Sequence, residues 1–291
     1  EIPLRLVGSE MCIRDSYNGR QYYMKKSDIL TSVGLILSIV LMIYGMLIGS
    51  SLKIFWDLAS VIITVGGSLS ALLITYSLEE VKNMGKLFIQ AFKENKSSGK
   101  DIIVRFGNLS KKARREGLLS LEDDISEMED PFMKKGLQMV VDGIEPETIR
   151  EILELEIGEM ENRHERGAGI YAAWGAYAPA FGMLGTLIGL IQMLANLTDV
   201  ANIASGMGKA LITTFYGSLL ANILCNPIAS NLRQKSAKEA GEREMILEGI
   251  LAIQSGVNPR IVEEKLITYL PPKEKLEYLN NSIENGEGVV I

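Results

Sequence analysis

Histidine and cysteine are almost missing from this chain: His164 stands alone, and Cys12 and Cys225 are the only thiols. One imidazole cannot build a multi-histidine metal site, and two distant cysteines make neither a disulfide framework nor a zinc site. Basic excess is missing too. The net charge is −6, which leaves no electrostatic footprint for nucleic acid. No nucleophile–base set, phosphate loop or metal spacing stands out, so an enzyme is the least favoured class, with no cofactor implied. The most informative absence is local. Residues 29–52, 58–78, 167–198 and 210–232 contain no Asp, Glu, Lys or Arg, giving uncharged runs of 24, 21, 32 and 23 residues. A helix needs about 20 such residues to cross a bilayer. A soluble globular enzyme is excluded as the default.

Between 80 and 166, by contrast, no uncharged run is longer than six residues. The fold class predicted is therefore all-α: a polytopic membrane protein with four transmembrane helices and a helical cytosolic domain between spans 2 and 3. The spans are expected near 29–49, 55–76, 170–194 and 203–232. Residues 24–76 form a first hairpin, 77–167 the cytosolic helical domain, 168–232 a second hairpin, and 233–291 a C-terminal helix with a mobile tail. Residues 1–23 carry mixed charges and no apolar signal core, so they are no signal peptide. With Met24-Lys25-Lys26 standing just before the first apolar run, they are read as a leader artefact. Lys25, Lys26, Lys82, Lys86, Arg163, Arg166, Arg233, Lys235 and Lys238 cluster at one end of the spans. The positive-inside rule puts those flanks and both termini in the cytosol. Two hairpins enclose no substrate path alone, so function requires an oligomer or a partner.

Spans 3 and 4 are rich in small residues. Pro179, Gly182, Thr186 and Gly189 recur at three- and four-residue steps, and Thr214, Gly217, Ala221 and Leu224 repeat the pattern before Pro227. Such a face packs closely against another helix. It also suits a narrow water path with threonine hydroxyls as ligands, and both readings stand at this stage. Neither span holds a carboxylate, although an intramembrane ion carrier normally needs an ionisable side chain. Asp57, at the outer end of span 2, reads first as a helix-start residue. An ion-carrying carboxylate would then belong to a partner.

The cytosolic stretch 77–167 has 15 Lys plus Arg against 20 Asp plus Glu. Ile149, Leu153, Ile157 and Met160 lie at helical spacing, and Pro146 after the Asp142-Gly143 turn suits a helix start. A helix begun there would run unbroken into span 3. Residues 111–124 place a basic block, an apolar knob and an acidic block in succession. This is either a solvated face with internal ion pairs or a docking face showing both signs to one partner.

Several segments together resemble the flagellar stator A subunit, the MotA/PomA family, over residues 24 to about 269. They are Phe55-Trp56-Asp57-Leu58-Ala59 running to Gly66-Gly67, Ala113-Arg114 to Leu121-Glu122, and Asp130-Pro131-Phe132 with Gly136-Leu137-Gln138. Ala178-Pro179-Ala180-Phe181-Gly182 with Gly185-Thr186, Thr213-Thr214-Phe215-Tyr216-Gly217 and Asn226-Pro227-Ile228-Ala229 follow. The resemblance implies a bacterial inner-membrane protein in which five A subunits ring two B subunits. The B helix bears the ion-binding aspartate and its protein is anchored to peptidoglycan. Ion flow, H+ or Na+, drives torque on the rotor switch-complex protein. It further implies rotor docking by Arg114 and Glu122, which on one helix would lie about 80° apart around its axis. Conformational coupling by Pro179 and Pro227 is implied too, with an ion path and partner-helix face at Thr186, Thr214, Gly182 and Gly189. Thr186 lies where sodium-driven members have threonine and several proton-driven ones alanine, which leaves both ions open. Membrane lipid is the remaining partner. A relative of the ExbB/TolQ energisers of envelope transport is the alternative; these typically have three spans.

Overall fold

The computed structural model describes residues 27–93, 99–195 and 200–284, and every regular element among them is helical. The leader at 1–23, the start at Met24, Asp199 in the second hairpin loop and the tail beyond Glu284 lie outside the described residues. Helix α1 spans Ser27–Gly49. After a 3-10 turn at Leu52–Phe55, α2 runs Leu58–Thr75 with a widened π turn at Ile62–Gly66. Then come α3 (Leu78–Phe92), α4 (Gly99–Glu116), α5 (Glu122–Ser126) and α6 (Pro131–Val141). Helix α7 is continuous from Pro146 to Leu194, 49 residues. Helix α8 (Val200–Leu219) passes through a π turn at Leu220–Cys225 into α9 (Asn226–Gln254). Helices α10 (Pro259–Ile267) and α11 (Pro272–Glu284) close the described chain. Helix α11, reaching Glu284, extends far into the C-terminal part of 233–291 expected to end in a mobile tail.

Local chemistry sets these boundaries. Asp57 caps α2, its carboxylate accepting from Ser60 N at 2.8 Å and Ser60 Oγ at 2.6 Å, which is the helix-start role expected of it. Ser77 and Glu80 form a reciprocal capping box on α3. Asp130 and Asn258 cap α6 and α10, each followed by a proline that needs no N–H partner there. Gly117, Gly143 and Gly256 are the described residues with positive φ, and each follows a helix end where a side chain would be strained.

The chain divides into two compact units, 1–94 with 164–235 and 95–163 with 236–291. The first contains the apolar helices. Leu58–Thr75, Pro146–Leu194 and Ile203–Gln254 are long and apolar enough to cross a membrane, and Val33–Gly49 is a shorter apolar helix. Its core joins Leu72, Met84, Ile170, Tyr171 and Ile228, with the Tyr171 hydroxyl donating to Met84 O at 2.8 Å. The second unit has its own core, in which Phe106, Leu121, Phe132, Leu137, Ile149, Leu153, Ile250 and Leu266 are all but inaccessible. Residues 236–270, treated apart on sequence grounds, supply much of this core. Two glycines allow the approach: a side chain at Gly136 would meet Ile250 and Leu153, and one at Gly249 would meet the Phe106 ring at 2.7 Å.

Glu248 braces this unit from α9, accepting from Arg150 Nη1 at 3.1 Å and from Lys265. Burial alone would raise its pKa, but Lys265 and Arg150 outweigh burial and hold the carboxyl below the usual glutamate value of 4.5. That contribution, on the order of 1–3 kcal/mol for charge-assisted bonds, is full above the ordinary value and is lost as pH falls through the lowered one. Glu248→Gln should therefore melt below the parent at neutral pH, with the gap closing under acid of pH less than 4.5. Parallel melting profiles across that range would remove Glu248 from the stabilising set.

Candidate ion-path and docking faces

The membrane face is built where α7 meets α8. Along α7 the buried line is Gly175, Ala178, Gly182, Gly185 and Gly189, and along α8 it is Gly206, Ala210, Thr213 and Gly217. A methyl at Gly182 would lie 3.1 Å from Thr213 O and 3.3 Å from Thr214 Cα. One at Gly189 would lie 3.0 Å from both Ala210 N and Gly206 O. One at Gly217 would lie 2.6 Å from Ala178 O and 3.0 Å from Pro179 Cα. The two helices therefore touch backbone to backbone, and Gly182 and Gly189 are turned to α8 of their own chain. Pro179 and Thr186 stand one residue round from this seam, half-buried on its flank.

Both prolines disturb the helices next to that seam. Pro179 lies inside α7 and offers no N–H to the carbonyl of Gly175. Pro227 denies the carbonyl of Ile223 in the same way, and the π turn Leu220–Cys225 loosens the helix just before it. Gly175 lies against Cys225 and Asn226, so the α7 carbonyl freed by Pro179 neighbours the end of this turn. The threonines differ in kind. Thr186 Oγ1 donates back to Met183 O at 2.6 Å, a local bond that leaves the residue beside the seam. Thr214 Oγ1 is buried and has no hydrogen-bond partner among the described residues. An unpaired buried hydroxyl costs about 1–3 kcal/mol.

The candidate docking residues are in the other unit. Arg114 sits exposed in the last turn of α4, and Glu122 is the exposed first residue of α5. They do not share a helix, so the angular argument from a continuous helix is corrected. Gly117, at φ +88°, ends α4, and a 3-10 turn at Leu118–Leu121 intervenes. Leu121 and Ile125 are fully buried and fix the turn to the core, while Leu119 projects, 70% exposed. Lys112 Nζ meets Asp124 Oδ2 at 2.6 Å across the turn, and that bond holds the ammonium above its ordinary pKa. Arg114 and Glu122 make no ion pair among the described residues.

The family model described as the MotA/TolQ/ExbB proton channel family matches residues 124–245. Motility protein A of Borreliella burgdorferi is 47% identical over 234 residues, covering 80% of this chain and 90% of the relative. The chemotaxis protein PomA of Vibrio alginolyticus is 37% identical over 243 residues, 84% of this chain and 95% of the relative. The chain belongs to the MotA/PomA family. A solved flagellar MotAB stator complex from Bacillus subtilis superimposes with a TM-score of 0.79 at 38% identity, covering 84% of this chain and 97% of that one.

Sequence reasoning missed what helix α2 contributes to this MotA-family member. Ser60, Thr64 and Ser68 are buried at four-residue steps in an apolar helix. Thr64 Oγ1 donates to Thr213 O at 3.3 Å, and Ser68 Oγ accepts from Trp174 Nε1 at 3.1 Å. Tyr216 donates to the carbonyl of Phe55, and Thr75 bonds Tyr177 at 3.0 Å. The spacing of the three hydroxyls was the available signal. Because Gly217 faces a carbonyl at 2.6 Å, Gly217→Ala should separate α7 from α8, with an overpacking cost of about 1–3 kcal/mol. A lower melting temperature of the purified variant is expected; an unchanged one would mean that the seam yields freely.

Proposed function

We propose that this chain is the A subunit of a flagellar stator, which couples inward flow of H+ or Na+ to torque on the rotor switch-complex protein. The observation that carries it is the seam itself: close-packed glycines, two helix-interrupting prolines and threonine hydroxyls, with no Asp, Glu, Lys, Arg or His at 167–195 or 210–232. A path of that composition cannot bind and release a cation by itself. It needs a carboxylate brought by another helix, which a B subunit supplies in the proposed complex. The family membership and the likeness to a MotAB stator complex support this reading. The ExbB/TolQ alternative is less favoured, since the matched relatives bear motility and chemotaxis names.

In this proposal four helices cross the bacterial inner membrane: α1, α2, the apolar part of α7, and α8 with the start of α9. Both termini and the 77–167 region are cytosolic. Five copies surround two B subunits. Thr186 and Thr214 flank the ion path, and the unpartnered Thr214 hydroxyl is the atom with bonding capacity to spare. Pro179 and Pro227 let the helices bend as the ion passes, while Gly182 and Gly189 hold α7 to α8. Arg114 and Glu122 dock on rotor charges of opposite sign. No covalent chemistry is required, and the transported ion is the sole small molecule involved.

Swimming tests the whole. Cells lacking their own stator, supplied with this chain and its cognate B subunit, should regain motility, and dependence of that motility on external sodium would name the ion. Absence of swimming in the native host despite co-purification of the two subunits would turn the function toward envelope energising. Within a motile complex, Arg114→Glu should reduce swimming without lowering ion conductance, because the side chain is exposed. Normal swimming by that variant would overturn direct docking.

A further inference from the structure

The turn between α1 and α2 has a clear division of faces. Phe55 is drawn inward: its carbonyl accepts from Tyr216, and its ring lies 5.8 Å from that of Phe215. Asp57 is turned to its cap, with both bonds going to Ser60. The alternate residues point away, with Leu52 43%, Ile54 62%, Trp56 70% and Leu58 62% exposed. Four large apolar side chains in so short a turn are out of place in water.

We propose that this turn is a lipid anchor, with Leu52, Ile54, Trp56 and Leu58 seated at the boundary between headgroups and acyl chains. Three observations select lipid as the occupant. Across Ser50 and exposed Ser51 the patch adjoins the exposed apolar faces of the neighbouring helices, at Ile48 of α1 and Ile62 of α2. Its one tryptophan is the side chain suited to that depth, since the indole offers an apolar body with a single N–H donor. Exposed Lys53 supplies the one other charge, on a stem long enough to reach the headgroups. The anchor would fix the depth of the first hairpin while the Tyr216 and Phe215 contacts hold the same turn to α8. It rests on the proposal that α1 and α2 cross the membrane.

Tryptophan quenching in phosphatidylcholine vesicles tests this on the full chain. Trp174 is the sole other tryptophan, so the difference between the parent and Trp56→Phe isolates Trp56; Trp174→Phe gives the same emission by a second route. Lipid brominated near the headgroup should quench Trp56 about twofold more than lipid brominated near the bilayer centre, with little effect of iodide on both sides. Quenching by iodide and not by bromolipid would overturn the proposal by placing the turn in water. Protection from both would overturn it in favour of a protein neighbour, a second copy or a partner subunit. Leu41→Trp in the Trp56→Phe background separates the underlying assumption, because Leu41 is an exposed mid-helix residue of α1. Its quenching by deep bromine keeps the membrane assignment whatever Trp56 does, and its failure would sink that assignment instead.

Discussion

At Gly182, Gly189 and Gly217 the backbones of α7 and α8 meet with nothing larger than a hydrogen between them. Lipid tails are as apolar as leucine, so two membrane helices gain little from hiding apolar side chains from lipid. Van der Waals contact and interhelical hydrogen bonds must hold them together, and both improve as the axes approach. The glycine seam sets that approach. Once it is made, Thr213 O lies where Thr64 of α2 can reach it, and α2 joins the pair through a hydrogen bond as well as apolar contact. Phe181, one residue from Gly182, lies over Gly67, where no side chain intervenes.

The same economy governs the polar groups. A membrane helix satisfies its backbone internally, and side-chain hydroxyls mostly bond back to carbonyls a turn away. Thr213 to Ala210, Ser70 to Gly66 and Thr186 to Met183 follow that habit. Pro179 and Pro227 break it by removing donors, and Thr214 breaks it with a buried oxygen that has no hydrogen-bond partner among the described residues. These departures gather beside the seam. Elsewhere in the first unit, polar side chains are spent on caps and tethers, as Asp57, Ser77 and Tyr216 show. In the proposed complex, that spare bonding capacity would lie beside a cation whose carboxylate comes from another helix.

Composition made the apolar segments legible, because charge-free runs of that length have few uses other than crossing a bilayer. The start of α7 at Pro146 and the cap at Asp57 were equally readable, since each is a local event decided by one or two residues. Pairings between distant segments were not. Nothing in the period of 236–270 says that its apolar face meets Phe106 and Leu153, since many amphipathic helices would fit by pattern alone. The hydroxyls of α2 were hidden for a related reason: serine and threonine are common in membrane helices, and only the partner at Thr213 O or Trp174 gives them meaning. Gly117 was visible all along, a glycine just past a basic last turn that marks the helix end separating Arg114 from Glu122.

That broken helix changes what the proposed docking face could do. Two charges on one rigid cylinder keep the spacing the helix dictates, whereas Arg114 and Glu122 take theirs from a turn held by Leu121 and Ile125 below and the Lys112–Asp124 pair across it. An exposed ion pair is worth little in stability. It can nevertheless bias a turn whose buried leucine already restricts the choices. Opposite charges at an exposed rim act mainly on encounter and register, and salt screens them within about 8–10 Å. Under the proposed docking, a surface built this way would grip weakly and repeatedly, as a subunit that pushes a moving partner requires.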